Sequence, residues 1–143
     1  MDQEPIVHIP KEEEPTNAHA NHFLQIFLFV DDASKTGRVL STAKIGEVYM
    51  SRLTIEPGIV TGNLYSKETN IMFFVERGSV IAEFEHIETK VRKHIEMKPG
   101  KNAVHVFPYV ARAIKNVGHN EAVLIFFSNR RLRSGDDFEY LLV

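Results

Sequence analysis

Residues 57–78 read PGIVTGNLYSKETNIMFFVERG, and the fold prediction rests on this stretch. It begins at a Pro-Gly turn, ends at an Arg-Gly turn and contains the continuously apolar run Phe73–Val75. Glycine adopts positive φ and proline fixes φ, so both residues favour tight turns between strands. A short apolar run between such turns is typical of a strand that is covered on both faces. The stretch therefore predicts short strands joined by tight turns.

The same rhythm of short strands and turn signals continues on both sides. Residues 47–55, 79–87 and 91–97 are rich in β-branched and aromatic residues, which predicts half-buried strands. Residues 122–127 form a second continuously apolar run, and we expect both continuous runs in the middle of the molecule, covered on both faces. No long window has a convincing helical period, so helix is expected only in short pieces. The predicted fold class is all-β, a sandwich or a barrel.

Composition excludes several classes of function. The chain has 143 residues, a net charge of −2 and no basic run beyond residues 130–133, so direct binding of nucleic acid is not expected. It has no cysteine, which excludes disulfides, thiolate zinc sites and a cysteine nucleophile. Neither a signal peptide nor a membrane span is predicted. We therefore expect an intracellular protein, cytoplasmic by default.

The first 20 residues differ from the rest. They contain three prolines and the acidic run Glu12–Glu14, and such a composition buries too little apolar area to offset its ordering entropy. We predict a poorly ordered tail over residues 1–20 and a single barrel domain over residues 21–143.

The glycine spacing resembles the first motif of the cupin family, which places two histidines and a glutamate between two glycines of a tight hairpin. Gly58 and Gly78 match the glycines. The resemblance places Leu64 and Ser66 at the histidine positions and Ile71 at the glutamate position. It implies a single cupin-type jelly-roll β-barrel in which these three metal ligands have been replaced.

The second cupin motif ends in a proline turn, a histidine and an asparagine, and residues 108–116 are similar to it. Arg112 stands at the histidine position if one turn residue has been deleted. A first-row metal needs imidazole, carboxylate or thiolate donors at one point, and the four replaced positions offer none that bind strongly. The prediction is therefore a barrel with no metal and no cofactor.

Four residues are candidate ligand-binding residues: Tyr65, His105, Tyr109 and Arg112. If Arg112 points inward, its burial favours a phosphate or carboxylate ligand or an internal salt bridge. His105 lies three residues before Pro108, near the expected barrel mouth, where it could act as a base near neutral pH. The alternatives are a hydrogen-bonded strand histidine, two tyrosines in the barrel wall, and an Arg112 that pairs structurally or points outward.

Two further charged groups have a simpler interpretation. The arginines of residues 130–133 could bind a diphosphate, but a surface loop balanced by Asp136 and Asp137 is the favoured interpretation. Lys67 and Glu68 are interpreted as a solvated turn rather than a catalytic pair.

A narrower resemblance concerns residues 57–63, 73–75 and 137–143, which look like the C-terminal cupin domain of bacterial capsular-polysaccharide reductases acting on UDP-linked deoxyhexoses. That domain is similar in turn to sugar-nucleotide 3,4-ketoisomerases and 3,5-epimerases. The resemblance implies a cofactor-free sugar-nucleotide isomerase or epimerase of surface-polysaccharide synthesis. No Gly-x-Gly-x-x-Gly loop occurs in the sequence, so hydride transfer is not expected.

The loss of the motif histidines favours a different function, a metal-free homodimerisation or binding module that acts in assembly or regulation. Residues 63–66 and 73–78 also resemble the dimerising cupin domain of kinetochore proteins, which would imply a nuclear, chromosomal location. Both interpretations predict a homodimer through the continuously apolar strands, with a protein or a nucleotide sugar as further partner. Whether the chain is an enzyme stays open, and a polar cavity rather than a packed apolar interior would favour ligand binding.

Overall fold

The computed structural model describes residue 3, residues 17–20 and residues 24–143. These residues form thirteen strands and no helix. The strands are β1 Asn17–Ala20, β2 Gln25–Phe27, β3 Val30–Asp32, β4 Arg38–Ile45, β5 Val48–Ile55, β6 Val60–Ser66, β7 Ile71–Arg77, β8 Val80–His86, β9 Arg92–Met97, β10 Ala103–Val106, β11 Val110–Asn116, β12 Ala122–Ser128 and β13 Asp137–Glu139. Within the described part of the chain, no helix is long and apolar enough to cross a membrane.

Two antiparallel sheets face each other and form a jelly-roll-like barrel. The first sheet has six strands in the order β10-β7-β12-β5-β4-β3, and the second has five in the order β13-β6-β11-β8-β9. Strands β1 and β2 form a separate two-stranded sheet. This arrangement confirms the prediction of an all-β barrel.

The core lies between the two sheets. Ile55, Phe73 and Leu124 of the six-stranded sheet are fully buried against Val80 and Ile114 of the five-stranded sheet, within one apolar cluster. Each fully buried side chain of this size contributes about 1.5–3 kcal/mol relative to an exposed one. The sheets therefore associate through their inner faces, and a gap in this packing becomes an internal pocket.

A β-bulge in β6 decides which of its side chains face inward. Gly62 has φ 97° and Asn63 has φ 56°, and the register of β6 against β11 shifts at this point. A Cβ at Gly62 would lie 2.6 Å from the carbonyl oxygen of Arg112, so only glycine allows the close approach. Because of the extra residue, Leu64 joins Thr61 on the pocket side and Tyr65 packs on the opposite face.

The two continuously apolar runs lie side by side in β7 and β12, the second and third strands of the six-stranded sheet. The expectation that both faces of these strands are covered is wrong for the single chain. Met72 is 48% exposed and Phe127 is 38% exposed on the outer face, while Phe73 and Phe126 are buried in the core. The predicted short helices are also missing from the described residues.

The predicted tail falls mainly on residues outside the described part of the chain. Of residues 1–20, only residue 3 and β1 are described. Strand β1 pairs with β2 in antiparallel register, an element that the sequence prediction did not include.

Candidate anion-binding site

A small pocket opens between the two sheets beside the bulge in β6. Its free volume is about 40 Å³, and an ordered water needs about 10–15 Å³. Its apolar wall is formed by Leu40, Leu53, Leu64, Ile114, Phe126 and Leu132. Its polar wall is formed by Lys35, Arg38, Thr61, Arg112, Arg133 and Asp137. The pocket therefore has room for a few waters or one small charged group, and no histidine of the described residues lines it.

Arg112 is buried on β11 and lines this pocket, directly across the ladder from Leu64. Burial lowers the pKa of Arg112 because it removes water from the guanidinium, while the carboxylates of Asp137 and Asp136 act in the opposite direction. Its guanidinium remains charged at neutral pH. Arg112 thus points into the barrel and lies in the field of two acidic side chains.

Arg38 opens β4 and reaches the pocket from the other sheet. Its Nη1 donates a hydrogen bond of 2.6 Å to Thr61 Oγ1. Among the described residues, its Nε and Nη2 are buried and have no hydrogen-bond partner. Burial and the nearby charge of Arg133 lower the pKa of Arg38 to about 10. A buried cation with unused donors is costly, so this side chain is poised to receive an anion.

Arg133 forms a buried ion pair with Asp32 at the edge of the pocket. Asp32 also accepts a hydrogen bond of 3.0 Å from the Ser34 backbone N–H. Burial alone would raise the pKa of Asp32, but the hydrogen bonds from Ser34 and the charges of Arg133 and Arg38 bring it below its usual range. This pair fastens the segment after β12 to β3 and places Arg133 beside Arg38.

Positive charge is in excess around the pocket. The cations Lys35, Arg38, Arg112 and Arg133 line it, whereas Asp137 is its lining carboxylate. Asp32 and Asp136 act on these cations from just outside the lining. The three arginines match the three carboxylates in number, and the exposed Lys35 supplies the one positive charge in excess, which an anionic group would neutralise.

The carboxylate of Asp136 accepts hydrogen bonds from the turn between β6 and β7. Its two carboxylate oxygens accept hydrogen bonds from the backbone N–H groups of Lys67, Glu68 and Thr69 over 2.9–3.2 Å. The hydroxyl of Thr69 donates a further bond of 2.6 Å. Burial would raise the pKa of Asp136, and these hydrogen bonds lower it below its usual range. The C-terminal segment thereby holds the hairpin at which the cupin motif would place its ligands.

The other replaced ligand positions also lie inside the barrel. Leu64, Ser66 and Ile71 are all buried, and Leu64 lines the pocket. Within the described residues, no group of three or more His, Asp or Glu side chains is placed to hold a metal ion. These positions now provide an apolar wall, a hydroxyl and one guanidinium.

The four predicted ligand-binding residues do not form one site, because the two tyrosines, His105 and Arg112 lie in three different places. Tyr65 lies on the outer face of the five-stranded sheet, where it stacks on Phe138 with ring centroids 5.4 Å apart. Tyr109 stacks on Tyr65 at the same face. His105 is exposed on the six-stranded sheet and lies 3.1 Å from Asn70 Oδ1. Only Arg112 of the four lines the pocket.

The interpretation of residues 130–133 as a surface loop is wrong for two of its arginines. Arg131 and Arg133 are buried, whereas Arg130 is partly exposed and pairs with Glu68. Lys67 and Glu68 lie in the turn after β6, as predicted, with the Lys67 ammonium 4.3 Å from the centre of the Phe138 ring.

Sequence reasoning missed Lys35, Arg38 and Asp137 as pocket residues. Arg38 carries one usable signal, because a cation that directly follows the Thr36-Gly37 turn begins a strand whose next alternate residue, Leu40, faces the core. The pairing of Arg133 with Asp32 joins residues that are far apart in the chain and has no local signature in the sequence.

Two antiparallel sheets that enclose one interior site define a cupin-type barrel. The family model of the polysaccharide biosynthesis C-terminal domain matches residues 31–137, and the chain belongs to this family. A comparison with curated protein sequences finds no match.

Solved structures support the same fold. The capsular polysaccharide assembling protein CapF from Staphylococcus aureus superposes with a TM-score of 0.71 at 17% identity, over 82% of this chain and 35% of that one. An oxalate decarboxylase mutant from Bacillus subtilis gives a TM-score of 0.64 at 12% identity, over 74% of this chain and 29% of that one. The chain thus spans about a third of the length of CapF. Neither the family nor these structures support a kinetochore role or a nuclear location.

Proposed function

We propose that this chain is a ligand-binding cupin domain of polysaccharide biosynthesis, and that its ligand is an anionic sugar derivative such as a nucleotide-linked sugar. The anionic group would occupy the pocket between Arg38, Arg112 and Arg133. This proposal follows the sugar-related alternative of the sequence analysis in preference to a pure dimerisation module.

One observation carries the proposal, namely the buried and unused donors of Arg38. Nε and Nη2 lack partners within the described residues, although a guanidinium fits two oxygens of a carboxylate or phosphate in a bidentate geometry. A single anion in the pocket would fill these donors and balance the excess positive charge. Structural pairing alone would leave these two donors unexplained, because Asp32 and Asp137 act on Arg38 only through their charge and its hydrogen bond goes to one hydroxyl.

The membership of a polysaccharide biosynthesis family supports a sugar derivative over other anions. An isomerase or epimerase would also need a base near the bound sugar. Asp137 is the pocket-lining carboxylate that could accept a proton, and Arg112 beside it could stabilise an enolate oxygen. We therefore propose binding as the primary function and assign any proton transfer to Asp137.

Isothermal titration calorimetry at low salt tests the proposal, with inorganic phosphate, uridine diphosphate and a UDP-hexose as ligands. Arg38→Gln removes the charge and most donors, so we expect its affinity for each bound anion to fall about tenfold or more. Arg52→Gln is the matched control, because Arg52 is exposed on β5 and away from the pocket lining. The control should bind within about twofold of wild type.

Two results would contradict the proposal. Wild-type protein that binds none of the three anions has no functional anion site. Equal affinities for Arg38→Gln and Arg52→Gln would place any anion binding outside this pocket. Matched circular dichroism spectra of the variants would establish that both remain folded.

A further inference from the structure

A groove on the protein surface adjoins the mouth of the anion pocket. It is formed by the β3–β4 connection and the neighbouring strand ends, and its free volume is about 250 Å³. The groove and the pocket share Lys35 and Arg38 in their linings. The remaining polar groups of the groove are Thr36, Thr54, Glu56 and Glu121. One arginine thus separates a small cationic interior from a larger groove that carries hydroxyls and carboxylates.

We propose that this groove is a second subsite, and that it binds the neutral, hydroxyl-bearing ring of the ligand whose anionic group lies in the pocket. The inference rests on the proposed function and makes it more specific. The ligand class is a single sugar unit with one negatively charged group, either a hexuronate or a hexose phosphate. In a nucleotide-linked hexuronate, the carboxylate would lie in the pocket and the nucleotide would extend beyond the groove.

The chemistry of the two compartments orients such a ligand. Carboxylate oxygens are strong acceptors for hydroxyl donors, so Glu56 and Glu121 suit the hydroxyls of a sugar. The same carboxylates repel a second anion, which favours placement of the charged group inside the pocket. Charge therefore directs the anion inward and the hydroxyls outward.

The volumes of the groove and the pocket fit a ligand with one sugar unit. Sites for drug-sized ligands have volumes of about 300–1,000 Å³, and the groove is somewhat smaller than that range. The pocket, at about 40 Å³, holds no more than the charged group. A ring in the groove and an anion in the pocket use both spaces.

One side of the groove is held in place because Gly37 packs closely against the end of β5. The backbone N–H of Glu56 donates to the Gly37 carbonyl over 2.8 Å. Gly37 has φ 81°, and a Cβ there would lie 2.6 Å from Ile59 Cγ1 and 3.4 Å from Glu56 Oε2. Only glycine allows this approach. The contact places the Glu56 carboxylate next to the turn that leads into Arg38.

The test compares the affinities of the full chain for four ligands by calorimetry: inorganic phosphate, a hexose 1-phosphate, a hexuronate and a neutral methyl hexoside. In wild-type protein, we expect the sugar to add at least about tenfold to the affinity for the anion alone. Tighter binding of the phosphate ester or of the uronate identifies which anionic group the pocket prefers. The neutral hexoside should bind at least about tenfold more weakly than either.

Variants then separate the subsite from the pocket. Glu56→Gln and Glu121→Gln keep the side-chain shape but lose the charge. In the double variant, the increase in affinity that the sugar ring adds to the anion should therefore fall about tenfold. Affinity for inorganic phosphate should stay within about threefold of wild type. Glu96→Gln, at an exposed position on β9, is the matched control and should keep the full gain.

The outcomes separate a failure of the groove subsite from a failure of the anion pocket. If phosphate binds and the sugar ring adds nothing, the second subsite is overturned while the anion pocket stands. If the double variant keeps the same gain as Glu96→Gln, the ring lies elsewhere and the subsite is again overturned. If no anion binds at all, the proposed function fails and this inference fails with it.

Discussion

Arg38 and Arg112 line the same pocket but have different electrostatic surroundings. Arg112 lies in the field of Asp136 and Asp137. Arg38 donates to a neutral hydroxyl, and its burial and the charge of Arg133 outweigh the attraction of Asp32 and Asp137. Removing one partner of a buried ionic group leaves the other charges uncompensated, at a cost of about 3–5 kcal/mol. Removing a cation whose burial and like-charged neighbour outweigh its attraction to carboxylates relieves a desolvation penalty and a repulsion. The two arginines should therefore respond in opposite directions to the same substitution.

We predict that Arg112→Met lowers the free energy of unfolding by about 3 kcal/mol, because two carboxylates lose their buried cation. Arg38→Met, in ligand-free protein, should leave the stability unchanged or raise it. Urea denaturation monitored by circular dichroism measures both values. A large loss of stability in Arg38→Met would mean that its guanidinium is a structural group rather than a ligand-binding one.

At the scale of elements, the C-terminal segment holds the β6–β7 hairpin through one carboxylate. Asp136 accepts bonds from three backbone N–H groups and one hydroxyl of that turn. Asp136→Asn weakens these charge-assisted bonds, so we expect a loss of about 1–3 kcal/mol. Glu76→Gln, at an exposed position on β7, is the control and should lie within about 0.5 kcal/mol of wild type.

The same carboxylate predicts a pH dependence with a definite sign. Its pKa in the folded chain is lower than the ordinary value of 3.8, so its contribution is complete above that pH. The contribution is lost as the pH falls below 3.8 toward the folded-state pKa. The stability difference between wild type and Asp136→Asn should therefore shrink in this acidic range in urea titrations. A difference that stays constant from pH 7 down to about 2 would exclude the ionised carboxylate as its source.

The strands were predictable because turn residues and alternating apolar residues are local signals, as residues 79–87 and β8 illustrate. The direction of each side chain was less predictable. The bulge at Gly62 and Asn63 inverts the inward and outward positions that follow it. Leu64 therefore faces the pocket and Tyr65 faces outward, the reverse of what a regular strand would give. The sequence left the direction of Arg112 open, and in the structure its side chain lines the pocket. Long-range pairs such as Arg133 with Asp32 depend on the closed barrel and leave no local pattern.

At the scale of the whole molecule, the outer faces of the two sheets differ. The five-stranded sheet is covered by its own C-terminal segment, where Phe138, Tyr140 and Leu142 pack around Tyr65. The six-stranded sheet has no such cover over its centre among the described residues, and Met72 and Phe127 lie exposed there. Contiguous exposed apolar surface on a sheet commonly marks an interface.

We predict that a second copy of the chain covers this face, as the continuously apolar runs led us to expect. Met72 lies opposite Phe127, and Phe74 lies opposite Ile125, so four apolar side chains form one patch across β7 and β12. A two-fold axis through such a patch would bury it against its own copy. Analytical ultracentrifugation at micromolar concentration should give the dimer mass for wild type and the monomer mass for Met72→Glu. Val91→Glu is the control, because Val91 is 69% exposed beside the other sheet and should leave the dimer intact. A wild-type monomer, or equal masses for the two variants, would exclude this face as the interface.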